Sequence, residues 1–322
     1  MLTSDSYPFI DSKINIMYII NTSRHDDIKL VGAHMNIKPE ARKIEVDFSD
    51  ARIDWIPNDP ELAQFWNAVS IGLPLLEGYL IRALAKAKKM LPENSEALFA
   101  DCELFCQQEA NHSKTHMKYN DMVRATGFYP EMDKYTDRLK ADYERFDKNY
   151  GLRHAMLYAE GFETAGPIFA AYFLVQANKR LKDQNVDLIT LSLWRWHLSE
   201  EFEHRSCAFN VVEALYGTYW GRLGGIIKAT SHLIGFAVPL SEYMLKKDIE
   251  AGRVDAGFKG FIRKFKSYSG MFFFITPRLL RAFSPWYNPK NLKEPKGCEA
   301  VLKVASETLN LNEMAVRARQ TV

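Results

Sequence analysis

From residue 61 to about residue 216, apolar side chains recur every three or four positions, the spacing of helices with one face turned inward. Residues 61–87 predict one long helix. Asn58 or Asp59 is placed to cap it and Pro60 falls in its first turn, while Pro74 should bend it by removing a backbone donor. A second helix is expected over 93–126, stopped by Gly127 and Pro130, and a shorter one over 132–150. Residues 153–181, with Pro167 inside, and 187–216, ended by Gly217, complete the set. Four long helices with moderate links predict an all-α chain built on a four-helix bundle.

The flanks read differently. Within residues 1–58, the β-branched runs 29–35 and 43–48 suggest two short strands or an extended arm. Residues 218–290 are apolar, aromatic and basic, and 298–322 carry a weak helical pattern, as an exposed tail helix would. The expected division is an arm over 1–58, the bundle over 59–217 and a helical cover over 218–322.

The chemistry starts with the eight histidines. Two follow a glutamate by three positions, in Glu109-Ala-Asn-His112 and Glu201-Phe-Glu-His204. On a helix that spacing turns both side chains the same way, so each motif offers a metal one carboxylate and one imidazole. Di-iron bundle proteins pair two such motifs with one further glutamate from each of the other two helices. The first long helix offers Glu77, set among apolar neighbours where a lone carboxylate is costly. The third offers Glu160 and Glu163 in the stretch LYAEGFETAG. His116 returns to the face of Glu109 and His197 shares the face of Glu201, so either is a further ligand or a partner that orients one. Glu200 and Glu203 flank the second motif, with Glu203 expected in solvent. A carboxylate-rich set with imidazoles suits iron or manganese.

The stretches QQEANHSKTH and WRWHLSEEFEHRSCAFNVVEALYG resemble a bacterial family labelled "predicted metal-dependent hydrolase", whose core is of the ferritin-like di-iron type. The resemblance covers about residues 35–290. It implies Glu77, Glu109, His112, Glu160, Glu201 and His204 as ligands, with His116 in addition. One departure stands out: Gly161 follows Glu160 where the resemblance leads one to expect a histidine, which leaves the choice between Glu160 and Glu163 open.

Two irons on such ligands would activate O2 to hydroxylate, desaturate or N-oxygenate a small or lipid-like molecule, and a di-iron oxidoreductase is the expected function. The alternative is hydrolysis of an ester or phosphoester, with Glu200 or His197 as general base. Metal storage does not account for the aromatic extension.

Composition adds limits. At 47% hydrophobic and 25% charged residues, the chain has the balance of a globular protein. A net charge of +2 and the absence of any nucleic-acid-binding motif argue against nucleic acid as a partner. Four cysteines suit a reducing cytoplasm, with Cys102 and Cys106 as reduced core residues. No signal peptide is expected, and the most apolar stretch, 226–245, is broken by Lys228, His232 and Pro239. Residues 257–285 mix Phe258, Phe261, Phe265, Met271, Phe272, Phe273 and Phe274 with Lys259, Arg263, Lys264 and Lys266, which suggests either a core-packing helix or contact with the inner face of a membrane. A homodimer is the commonest assembly for such helical enzymes.

Overall fold

The computed structural model describes residues 37–318 except 182 and 184. The run 29–35 therefore lies outside the described residues. The rest is all-α: α1 (Pro60–Lys88), α2 (Glu96–Ala125), α3 (Met132–Asn149), α4 (Gly151–Arg180), α5 (Leu188–His204), α6 (Cys207–Leu215), α7 (Tyr219–Glu250), α8 (Phe258–Ala282), α9 (Cys298–Thr308) and α10 (Leu311–Ala318).

Asp59 caps α1 by accepting from the Leu62 amide, and the helix runs through Pro74 without a break. The fifth predicted helix is two. It breaks at Arg205 and Ser206, immediately after His204, and there the Arg205 side chain donates to Pro289 O at 3.1 Å and pairs with Glu294 at 2.8 Å. That anchor comes from a distant loop and leaves no mark on the local hydrophobic period.

α1 packs on α2 and α4, and α5 packs on the same two helices, so the four elements that carry the predicted ligands enclose one interior. α7 lies against α1 and α4, and α9 and α10 lie against α5. The C-terminal stretch is thus not an exposed tail: Cys298, Leu302, Ala305 and Leu311 are buried. Residues 43–48 form no strand. They make one isolated parallel bridge, Glu45 to Asn310, closed by Glu45 N to Leu309 O and Leu311 N to Glu45 O, each at 2.9 Å. Around it Arg42, Ile44, Phe48, Trp55 and Ile56 are buried in the same core.

By length and mean hydropathy α1 and α7 could each cross a membrane, but 67% of the apolar window of α1 is buried in the protein against 33% for α7.

α4 and α7 cross closely enough to explain Gly161. A Cβ there would stand 2.2 Å from the Gly225 carbonyl carbon, and a Cβ on Gly225 would stand 2.0 Å from Leu157 O. No side chain fits either place, so a histidine after Glu160 would push α7 away. Gly161→Ala should lower stability by about 1–3 kcal/mol, the usual cost of overpacking, measured by denaturant unfolding. An unchanged midpoint would show that the two backbones separate freely.

Candidate metal centre

Two buried groups of side chains meet between α1, α2, α4 and α5. The first joins Glu77 of α1, His112 of α2 and His197 of α5. The second joins Glu109 of α2, Glu163 of α4, and Glu201 and His204 of α5. Within each group one potential ligand atom per residue lies within 4.8 Å of all the others. Glu109 and Glu201 face both groups. Glu109 Oε1 is 3.2 Å from His204 Nε2 and 3.8 Å from His112 Nδ1. Glu201 places Oε1 at 2.9 Å from His197 Nε2 and Oε2 at 3.3 Å from His204 Nε2.

Each imidazole is held from behind, and the hydrogen bonds fix its tautomer. His112 donates from Nε2 to Glu200 Oε2 at 2.8 Å, which turns Nδ1 toward Glu109 and Glu201. His204 donates from Nδ1 to Gln108 Oε1 at 3.0 Å, and Gln108 in turn donates to Glu203 Oε2 and to the Glu40 carbonyl. Behind His197 the chain is longer. Asn120 Nδ2 donates to Ser70 O, so Asn120 Oδ1 accepts from the Ser70 hydroxyl at 2.8 Å. Ser70 Oγ then accepts from His116 Nδ1 at 2.7 Å, and His116 Nε2 accepts from His197 Nδ1 at 2.8 Å. The outward bonds direct one nitrogen of each ring inward, where it can give a metal its lone pair; without a metal, Glu109 and Glu200 outweigh burial and hold His112 well above its ordinary pKa, and Glu201 and Glu109 do the same, less strongly, to His204.

The electrostatics call for cations. Glu77, Glu109 and Glu163 have no hydrogen-bond partner on either oxygen, and His112 Nδ1 has none. Burial raises the pKa of Glu77 well above the usual carboxylate range, reinforced by Glu109, and burial with Glu201 and Glu109 does the same to Glu163. Burial also opposes ionisation of Glu201, but the charge of the protonated His204 imidazole beside it outweighs that and holds the carboxyl well below its ordinary value. Burial lowers the pKa of His116 and His197, which keeps that pair neutral. Among the described residues no lysine or arginine pairs with Glu77, Glu109, Glu163 or Glu201. Four buried carboxylates outnumber the imidazoles that can carry a proton beside them, and orphaned oxygens facing imidazole nitrogens fit divalent metals.

Of the residues expected from sequence, Glu77, Glu109, His112, Glu201 and His204 converge with Glu163 and His197. Glu160 does not. Its Oε1 accepts from Thr164 at 3.0 Å and lies 3.4 Å from Arg222 Nε, and burial raises its pKa to about 7. His116 stands behind His197, and Glu200 stands behind His112, neither inside a group. Glu203 is the reverse of solvent-facing: its side chain is shielded from solvent and bound twice by Arg42, at 2.9 and 3.1 Å. Arg42 also grips Glu200 at 2.8 Å, and no motif in its neighbourhood announced it. Gln108, Ser70 and Asn120 were missed as well. Gln108 adjoins Glu109, but polar residues on a charged helix carry no signal of their own.

A family profile described as "predicted metal-dependent hydrolase" matches residues 40–293, well over half of the chain. The chain belongs to that family. No curated protein and no solved structure matches it, so the implied ferritin-like core has no solved counterpart to be laid over. Membership corrects the expected function. The oxygen-activating di-iron oxidoreductase gives way to the hydrolase alternative, because the family is described by metal-dependent hydrolysis. Nitrogen and oxygen ligands on four helices serve both chemistries, so the ligand set alone misled.

Glu163→Gln should abolish tight binding of one metal per chain while Glu160→Gln retains two, read by metal analysis of purified protein; the opposite result would reassign α4. Glu200→Ala should weaken metal affinity roughly 10–100-fold through His112. Metal binding must displace the protons that Glu77 and Glu163 otherwise hold, so affinity should fall as pH falls and titration should release protons, seen by calorimetry in buffers of differing ionisation enthalpy. Proton-neutral binding would contradict this.

Proposed function

We propose that this protein hydrolyses an uncharged carboxylic ester at a two-metal centre held by Glu77, His112 and His197 on one side and Glu109, Glu163, Glu201 and His204 on the other. The observation that carries the reading is the apolar lining of a narrow cavity, about 40 Å³ and so with room for a short acyl group at most, that ends on His197 and Glu201. Apolar residues, among them Phe65, Trp66, Val69, Leu73, Phe162 and Leu198, form most of its wall, and no lysine or arginine lines it. A phosphoester carries charge and calls for a cationic clamp. An ester with an apolar acyl group does not.

The wall is not wholly inert. Trp66, Trp194 and Thr230 line the cavity, and the two indole N–H groups and the Thr230 hydroxyl are buried without a partner. Buried donors normally have acceptors. A carbonyl oxygen in the cavity would supply one and would be oriented by it, while the aromatic walls exclude bulk water. Bound divalent metals supply Lewis acidity toward that oxygen and lower the pKa of water. The relay from Asn120 through Ser70 and His116 keeps His197 Nε2 unprotonated. The net reaction adds water across the acyl C–O bond and yields an acid and an alcohol. Glu200 is not placed to be the base, since Arg42 and His112 occupy its two oxygens and it does not line the cavity. Seven donors of carboxylate and imidazole type accept manganese, iron or zinc.

Protein stripped of metal and reloaded with manganese, iron or zinc should cleave p-nitrophenyl esters of aliphatic acids and leave bis-p-nitrophenyl phosphate intact. Thr230→Val should raise KM several-fold, the worth of one hydrogen bond. Metal-dependent cleavage of the phosphodiester alone would overturn the ester reading.

A further inference from the structure

The distribution of exposed apolar side chains is uneven. Among the described residues, eight of the seventeen large hydrophobic side chains left in solvent fall between Phe258 and Trp286. Phe258 is 77% exposed, Phe273 73% and Trp286 87%. Soluble surfaces scatter such residues singly, and a concentration of them marks a contact site.

The arrangement on α8 is ordered. Phe258, Phe261, Phe265, Phe272 and Leu280 follow one another at intervals of three, four, seven and eight, which keeps them on one face. The opposite face is the one used by the protein, with Gly260, Ser267, Ile275 and Ala282 buried. Arg263 and Lys264 are tied to the body through Glu61 at 2.7 Å and Glu242 at 2.5 Å. Lys259, Lys266 and Arg281 are exposed, and their positions run along one border of the aromatic face. No acidic residue occurs between Asp255 and Glu294, a span with eight lysines and arginines.

We propose that this face of α8, with Trp286, docks the protein on a lipid bilayer carrying anionic headgroups. Charge decides between occupants. A second copy of α8 would bring its own cations against these, whereas an anionic surface neutralises them while the phenylalanines enter the acyl boundary. The helix lies along the surface and does not span it, because its other face is packed on α1 and α4. The inference does not depend on the ester reading, and either can fail alone.

The test is co-sedimentation of full-length, metal-loaded protein with vesicles of phosphatidylcholine alone and of phosphatidylcholine mixed with phosphatidylglycerol. Binding to the mixed vesicles is expected, weakened by salt. F261D/F265D and K259E/K266E should each reduce it on the order of tenfold or more, with circular dichroism and metal content unchanged. Failure to bind either vesicle would overturn the proposal. So would equal binding by both variants, or a concentration-dependent dimer that F261D/F265D disperses.

Discussion

The mutual repulsion of four buried carboxylates is the constraint around which this protein is arranged. Glu77, Glu109, Glu163 and Glu201 are each at most 3% exposed, and among the described residues no lysine or arginine pairs with them. Solvation cannot stabilise their charge, so protons or cations must. The four carboxylates outnumber the three imidazoles directed at them, and each imidazole, bonded outward through one nitrogen, turns the other toward the carboxylates, where a metal that displaces its proton finds a lone pair. Metal binding and the close approach of α1, α2, α4 and α5 are therefore one event, and part of the metal's binding free energy is folding free energy.

The peripheral segments earn their place by holding the imidazoles in that state. Ser306 of α9 accepts from Arg42 Nε at 2.8 Å, Arg42 grips Glu200, and Glu200 accepts from His112. A C-terminal helix thus reaches the His112 imidazole through two charged side chains. The family profile covers residues 40–293, so the matched region takes in Arg42 and Glu200 but not Ser306. Oriented outer partners of this kind fix both the tautomer and the direction of the ring.

The helices and most of the centre were legible because both obey the 3.6-residue period. Glu109 with His112 and Glu201 with His204 are local patterns, and Glu77 betrayed itself by sitting among apolar residues. What was illegible came from long range. Glu160 and Glu163 lie one turn apart on the same helix, and only Arg222, reaching from α7, claims the first and leaves the second for the centre. The break after His204 depends on Arg205 meeting Pro289 and Glu294. Arg42 sits in an irregular segment whose role is set by partners more than 150 positions away. Function was least legible of all, since oxygen activation and hydrolysis draw on one ligand set, and only the family relation separates them.

The central claim is that two cations share this interior. Crystals of the protein as purified, measured for anomalous scattering at the manganese, iron and zinc edges, test it most directly. The account predicts two anomalous peaks, one within the Glu77, His112 and His197 group and one within the Glu109, Glu163, Glu201 and His204 group. An interior with no anomalous peak, its carboxyls paired with one another or with the imidazoles, would contradict it.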